Sequence, residues 1–289
     1  MTRIASLAWH CQRVSGWAEQ EARLIEAIDP LKADLVLLPE YAGLDAALVG
    51  RTPPQDIASW MALASERSGD WMGQLSSVAK RTGAWVCGAS LPVETPRGYV
   101  NRGFFAAPWG EVHCQDKLIP TPFERDGMGI VPGQGLSVID TVMGRFGMLI
   151  CYDSEFPILA RKLVEAQCDM ILVPSCTEFE AGQTRVRQSC RARAIEGQCV
   201  VVQAPLVGAV EGCDIIDMSR GRPGIFVPPD HGMPADGILA QGAANTPGHA
   251  LAEVDFAAVG RVRREGQVGN VAHWPEQDRV DTNIRLLSL

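Results

Sequence analysis

The chain has 289 residues, 46% of them apolar and 21% charged, which is the balance of an ordinary globular protein and excludes a disordered or fibrous one. That length suits one substantial α/β domain or two small ones. A formal net charge of −8 excludes the clustered positive surface that nucleic-acid binding needs.

Residues 3–9 read as a short buried strand, and 16–28 as a helix with Trp17, Leu24, Ile25 and Ile28 on one face and Pro30 just past its end. Residues 34–38 form a second apolar strand ending at Pro39-Glu40. A helical region over 57–80, broken near Gly69, precedes strands at 85–91, 100–106 and 111–117, with Gly and Pro between them. The stretch 120–135 reads as a Pro/Gly-rich loop. A strand at 146–150 runs into Cys151, and a helix is expected to follow to about residue 167, capped by Ser154 with Pro157 in its first turn. Strand 170–173, helix 184–197 and strand 200–203 come next. Strand-like pieces at 224–227, 238–241 and 251–254 complete the domain, and 273–289 reads as a tail. Strands and helices alternate without an internal repeat or linker, which predicts an α/β layered fold in a single domain over 1–272.

No run approaches the ~18–20 apolar residues that span a bilayer, so no membrane association is expected. The first ten residues lack the charged-then-apolar pattern of a secretory signal. The nine cysteines are scattered and contain no Cys-x-x-Cys pair, which predicts reduced thiols in a cytoplasmic protein. The five histidines are isolated, with neither His-x-x-x-His nor His-Glu-x-x-His, so no metal centre is expected.

Three strand ends carry chemistry. Leu35-Val36-Leu37-Leu38-Pro39-Glu40 delivers a carboxylate, Cys114-Gln115-Asp116-Lys117 an ammonium, and Met148-Leu149-Ile150-Cys151 a thiol. Ligands of open α/β sheets bind beyond such ends. A free thiol has a pKa of about 8.5 and needs help to attack at neutral pH. Glu40 would serve as general base, helped by the dipole of the helix after Cys151; Lys117 and the Tyr152 backbone N–H would stabilise an oxyanion. Taken one at a time, these residues have plain alternatives: a buried apolar cysteine, a loop glutamate, a solvated lysine. Residue types and spacing leave both interpretations open.

The same segments resemble the nitrilase superfamily of carbon–nitrogen hydrolases. The likeness rests on Leu37-Leu38-Pro39-Glu40, Lys117-Leu118-x-Pro120 with Glu124-Arg125, Gly147-x-x-Ile150-Cys151-Tyr152-Asp153-x-x-Phe156-Pro157, Ile171-Leu172-Val173-Pro174-Ser175 and Arg191-Ala192-Arg193-Ala194-Ile195-Glu196. It extends from Ile4 to about Arg264. The resemblance implies a four-layer α-β-β-α sandwich, a Glu40–Lys117–Cys151 triad, a supporting Glu124 and no cofactor. It also implies a homodimer or higher homo-oligomer with C-terminal tails packing on the partner. Nitrile-cleaving members typically carry Trp-Glu after the cysteine, whereas Tyr152-Asp153 is similar to the amidase and carbamoylase branches. The expected partner is therefore a small-molecule amide or carbamoyl substrate, cleaved to acid and ammonia. The alternatives are a nitrilase, an acyl-transferring relative and a catalytically silent scaffold of the same fold.

For substrate contacts, Tyr41, Ser175, Cys176 and Thr177 are candidates because they follow Glu40 or close a strand near the site. Arg185, Arg187, Arg191 and Arg193 crowd one helix and are expected to make structural ion pairs, for example with Glu196, rather than to bind a carboxylate. Residues 210–218 depart from the family pattern; a surface loop is the expectation, and a segment that reshapes the pocket is the alternative.

Overall fold

Strand periodicity sets the architecture, because successive side chains of a strand point to opposite faces. In β1 (Thr2–Ala8), Ala5 and Leu7 enter one hydrophobic cluster and Ile4 the other. In β2 (Leu35–Leu37), Val36 joins the first cluster, while Leu35 and Leu37 join the second. Burial on both faces explains why 35–38 is an unbroken apolar run. The computed structural model describes residues 1–52, 54, 56–279 and 286–287.

After β1 come α1 (Trp17–Ile28), β2, α2 (Asp45–Leu48), α3 (Ile57–Glu66), α4 (Ser68–Thr82), β3 (Trp85–Thr95), β4 (Gly98–Ala106) and β5 (Val112–Asp116). The second half runs β6 (Val138–Thr141), β7 (Gly144–Met148), α5 (Pro157–Glu165), β8 (Met170–Ser175), α6 (Glu180–Gly197), β9 (Val200–Pro205), β10 (Gly224–Phe226), β11 (Ile238–Gln241), β12 (Gly248–Val254), α7 (Phe256–Glu265) and α8 (Asn270–Gln277). The strands form two six-stranded sheets, in the orders β12-β1-β2-β3-β4-β5 and β11-β10-β9-β8-β7-β6. Each has a parallel centre, β1-β2-β3 and β7-β8-β9, flanked by antiparallel strands.

The sheets meet face to face: Trp85 and Phe105 of the first pack against Phe146 of the second, with ring centroids 5.4 and 6.0 Å apart. On the outer side of the first sheet, Leu24, Ile28, Trp60, Trp71 and Leu75 of α1, α3 and α4 cover Val36 and Val86. On the other side, Leu163 of α5 and Val186 and Cys190 of α6 belong to the cluster of Ile171 and Val201. The result is a single-domain α-β-β-α sandwich. The two parallel centres bring the ends of β2 and β7 together, so that the Cys151 thiol neighbours Glu40; Glu40 lines a cleft there, and Cys151 is not among that cleft's lining residues.

Several local expectations are corrected. The helix break expected near Gly69 falls at Arg67, between α3 and α4. The loop over 120–135 contains one helical turn, Phe123–Gly127. Strand β6 went unnoticed because Val138–Thr141 is short and half exposed. No continuous helix follows Cys151. A five-residue 3₁₀ turn, Cys151–Glu155, comes first, and α5 starts at Pro157 with Phe156 as its cap residue. A residue before proline avoids the helical region, and Phe156 is extended at φ −102° and ψ 104°. Ser154 therefore caps nothing; its hydroxyl donates to the Cys151 carbonyl at 2.7 Å. The dipole expected behind Cys151 shrinks to that of one short turn.

At the C-terminus, α7 begins with the Asp255 carboxylate accepting from the Ala257 N–H at 2.9 Å, a cap the sequence pattern did not flag. Helix α8 runs through position 273, where the tail was expected to start. Its Trp274 ring lies 5.3 Å from the Arg161 guanidinium. Residues 280–285 and 288–289 of the expected tail, and the partner contact predicted for it, lie outside the described residues.

One glycine shapes the turn that carries Glu40. Gly88 sits at φ +85° beside an irregularity in the β3–β4 pairing, and a Cβ there would lie 2.1 Å from the Leu38 carbonyl oxygen. That backbone is fixed by Leu38 N–H donating to Cys87 O at 2.8 Å, and the next turn by Tyr41 N–H donating to Ser90 Oγ at 3.0 Å. Gly88→Ala is expected to cost about 1–3 kcal/mol through backbone displacement and positive φ. Urea unfolding checks the cost, with circular dichroism confirming that the fold is retained.

Candidate active site

The site is built on a buried ionic cluster. Lys117, one residue past β5, is 1% exposed, as is Glu40, three residues past β2. The Lys117 ammonium donates to Glu40 Oε1 and to Glu124 Oε2, both at 2.7 Å. Asn101 of β4 donates through Nδ2 to Glu40 Oε1 at 2.9 Å and to Glu124 Oε1 at 3.0 Å. The Tyr41 hydroxyl and the Thr121 N–H complete Glu124, at 2.7 and 2.8 Å. The Cys176 N–H, just past β8, holds Glu40 Oε2 at 2.9 Å.

These contacts separate the two carboxylates. Glu40 is pushed up to about 7, chiefly by burial and further by Glu124, with Lys117 pulling the other way. Glu124 feels the same burial, but Lys117 and the hydrogen bonds from Lys117, Thr121 and Tyr41 outweigh it and hold its carboxyl below the usual range. Lys117 is driven down by burial and, more strongly, up by its two carboxylates, so it stays an ammonium. One cation between two carboxylates thus leaves Glu40 as the group that exchanges a proton near neutral pH.

Cys151 follows β7 at φ 49°, a left-handed conformation that non-glycine residues seldom adopt. Burial and Glu40 raise its thiol, while Lys117 lowers it. Its Sγ lies 3.6 Å from the Cys176 carbonyl oxygen. Asp153 fixes this turn. Its carboxylate accepts from Ile150 N–H at 3.1 Å, and from Leu118 and Ile119 N–H at 3.2 and 2.8 Å, tying the cysteine turn to the segment that bears Lys117. Burial lifts Asp153 to about 6, against the opposing pull of Lys117 and those three donors. Asp153 N–H makes the turn's first backbone bond, to Ile150 O at 3.0 Å, so the Cys151 and Tyr152 N–H groups precede the ladder.

A cleft of about 230 Å³ opens over Glu40, Tyr41, Lys117, Glu124 and Cys176. Of the other expected substrate contacts, the Ser175 and Thr177 side chains do not line it: their hydroxyls donate to the Ala204 and Arg220 carbonyls at 3.3 and 2.8 Å. Strand alternation explains why Cys176, between them, faces the cleft instead. The Tyr152 ring packs edge-on against Phe156, 4.9 Å between centroids.

Residues 210–218 form a loop, and of the two expectations for them the structure favours the one in which they shape the pocket. Asp214, Ile215, Asp217 and Met218 form part of the cleft wall. Cys213 and Ile216 are buried in the first core cluster, and the Gly212 carbonyl accepts from Trp60 Nε1 at 3.1 Å. Paired bonds between Gly208 and Ser219, at 3.0 and 2.7 Å, clamp its base. The helical arginines stay out of the cleft: Arg193 pairs with Glu196 at 3.3 Å and Arg185 with Glu155 at 3.4 Å, while Arg187 lies over Phe226. Sequence reasoning also missed Asn101 and gave Asp153 no role. A polar residue inside an apolar strand was the available signal for the first. Among the described residues, no group of three or more His, Cys, Asp or Glu side chains is arranged to hold a metal ion, and no helix is long and apolar enough to cross a membrane.

Comparison with known proteins then decides the family. The carbon-nitrogen hydrolase family model matches residues 6–264. The chain belongs to that family. This carbon–nitrogen hydrolase is 30% identical over 271 residues to the probable hydrolase YhcX of Bacillus subtilis, an alignment covering 92% of the chain but only 52% of that relative. It is 27% identical to the deaminated glutathione amidase of Rattus norvegicus, over 91% of the chain and 83% of the relative. Among solved structures, a point mutant of the amidase from Nesterenkonia sp. AN1 superposes with a TM-score of 0.71 at 22% identity, covering 96% of this chain and 95% of that one. Saccharomyces cerevisiae Nit3, a nitrilase-superfamily member, gives 0.69 at 18% identity, over 91% and 93%. These two likenesses establish the nitrilase fold of the hydrolase.

Proposed function

We propose that this hydrolase cleaves the C–N bond of a small linear amide or carbamoyl compound through a thioester on Cys151. The observation that carries the proposal is the Lys117 ammonium held 2.7 Å from both Glu40 and Glu124, which line a cleft, with the Cys151 thiol in contact with Glu40. A purely structural role fits poorly, because a buried ionic cluster is replaceable by apolar packing without loss of stability. The Nesterenkonia amidase, solved with the acetamide moiety of fluoroacetamide on its active-site cysteine, supports the same chemistry here.

In this mechanism Glu40 takes the Cys151 thiol proton as Sγ attacks the substrate carbonyl carbon. Lys117 and the Tyr152 N–H receive the negative charge that develops on oxygen. Protonated Glu40 returns its proton to the departing nitrogen, the C–N bond breaks and ammonia leaves. Water then gives a proton to Glu40 and attacks the thioester carbonyl; the C–S bond breaks, the acid departs, and Glu40 passes that proton to Sγ, restoring the thiol and the ionised base. Glu124 does not exchange protons: its donors hold it ionised, and it keeps Lys117 charged and Glu40 poised.

The test is ammonia release from a panel of small amides, ureides and nitriles, with a pH profile on the best substrate. Amide or ureide turnover is expected, and kcat/KM should fall as pH drops through about 7, because the base must be ionised in the free enzyme. Glu124→Gln removes a charge that raises Glu40 and leaves Lys117 to Glu40 alone, so the acidic limb should move to lower pH. A limb that stays in place or moves up contradicts the assignment of Glu40 as base. Release from nitriles alone, or from nothing on the panel, contradicts the amidase reading.

A further inference from the structure

The cleft selects charge as well as size. Its floor is identified by Glu40, Lys117 and Cys176, independently of its rim. The rim carries three more carboxylates, Glu178, Asp214 and Asp217. None of the three forms an ion pair among the described residues. Lys117 is the lone cation among the described lining residues, and Glu40 and Glu124 already neutralise it. Arg220 lies near the rim with Nη2 3.8 Å from the Met218 sulfur, but it does not line the cleft.

The rim is a built feature. Glu178 lies on the loop after β8, and Asp214 and Asp217 on the segment between β9 and β10. The two loops are tied together by Arg220 N–H donating to Thr177 O at 2.7 Å and by the Thr177 hydroxyl donating to Arg220 O at 2.8 Å. Cys213 and Ile216 are buried, while Asp214 between them and Asp217 just after them are exposed. The rest of the lining is mostly apolar, with Met128 and Ile215 buried, Phe123 and Met218 exposed, and Thr121 a polar member of this group.

We infer that the substrate is a linear amide or ureide whose far end bears an ammonium group, with its alkyl chain against Met128, Ile215 and Met218 and its cation among Glu178, Asp214 and Asp217. This inference rests on the cysteine-hydrolase reading for the position of the reacting carbonyl. Carboxylate-bearing amides of the same length meet unpaired like charges at the rim and are rejected.

The experiment compares valeramide, its ω-amino derivative and its ω-carboxy derivative, each also as the corresponding ureide. Turnover by the full-length wild type is measured beside calorimetric binding to the Cys151→Ala protein. The ω-amino compound should exceed the neutral one by about tenfold in kcat/KM, mostly through KM, with the ω-carboxy compound lowest. The preference should shrink at high salt and approach one in Asp214→Asn/Asp217→Asn, with Glu178→Gln as an independent variant. An equal or reversed order, in turnover or in binding, overturns the charge selection and leaves the hydrolase reading intact. The expected binding order without any turnover retains the charge selection and overturns the hydrolase reading.

Discussion

Cys151→Ala is expected to lower kcat/KM by at least about 10⁴-fold while leaving the fold in place, because a covalent route has no substitute for its nucleophile. The structural cost is small. The Cys151 Sγ lies 3.6 Å from the Cys176 carbonyl oxygen and beside the Glu40 carboxylate, and the Asp153 clamp that fixes the turn involves other residues' backbone N–H groups. Loss of the sulfur atom should cost about 1 kcal/mol in unfolding. Cys151→Ser should be nearly as inactive, since a hydroxyl in the same buried place is a much weaker acid than a thiol. Cys176 is the thiol among the described residues lining the cleft, and burial pushes it above the ordinary cysteine range. Cys176→Ala should therefore retain turnover, provided the backbone N–H that holds Glu40 is undisturbed. Ammonia release that survives in Cys151→Ala and is lost in Cys176→Ala would reverse the assignment.

Lys117→Met should both inactivate and destabilise the protein. It removes the one cation that, among the described residues, pairs with the two buried carboxylates, and an uncompensated buried charge costs about 3–5 kcal/mol. The variant has an escape open to it: with Lys117 gone, burial and mutual repulsion raise the folded-state pKa of the Glu40 and Glu124 carboxyls. A carboxyl raised above its unfolded value binds more protons when folded. Stability is then favoured at low pH and lost as pH rises past the unfolded value of about 4.3 toward the raised folded one. Urea unfolding of wild type and variant across this range should show the deficit widening with pH. A deficit independent of pH would mean that Lys117 stabilises by packing alone. Activity should fall by about 10²–10³-fold where the variant is folded, the usual consequence of losing an oxyanion partner.

Local signals carried much of the fold. Apolar runs at 35–38, 146–150 and 170–173 announced their strands because both faces of those strands are buried, and Trp17–Ile28 announced its helix through a regular apolar face. Elements with weaker contrast stayed hidden. β6 is short and partly exposed, and α7 has only Val259 and Val262 buried. The turn after Cys151 misled because Ser154 and Pro157 both suit a helix start, yet proline's restriction on Phe156 delays the helix past them.

The sequence by itself determined that a carboxylate, an ammonium and a thiol sit at strand ends, since apolar periodicity and the residues that follow it are local properties. It also carried the family, through motifs spread along almost the whole chain. Tertiary structure decided what those groups are. Only packing brings Asn101, 61 positions from Glu40, to bridge two carboxylates, and only burial lifts Glu40 to about 7. Only the anchoring of Cys213 and Ile216 in the core turns Asp214 and Asp217 into a cleft wall. Desolvation and long-range contact depend on the whole fold, and no window of sequence contains them.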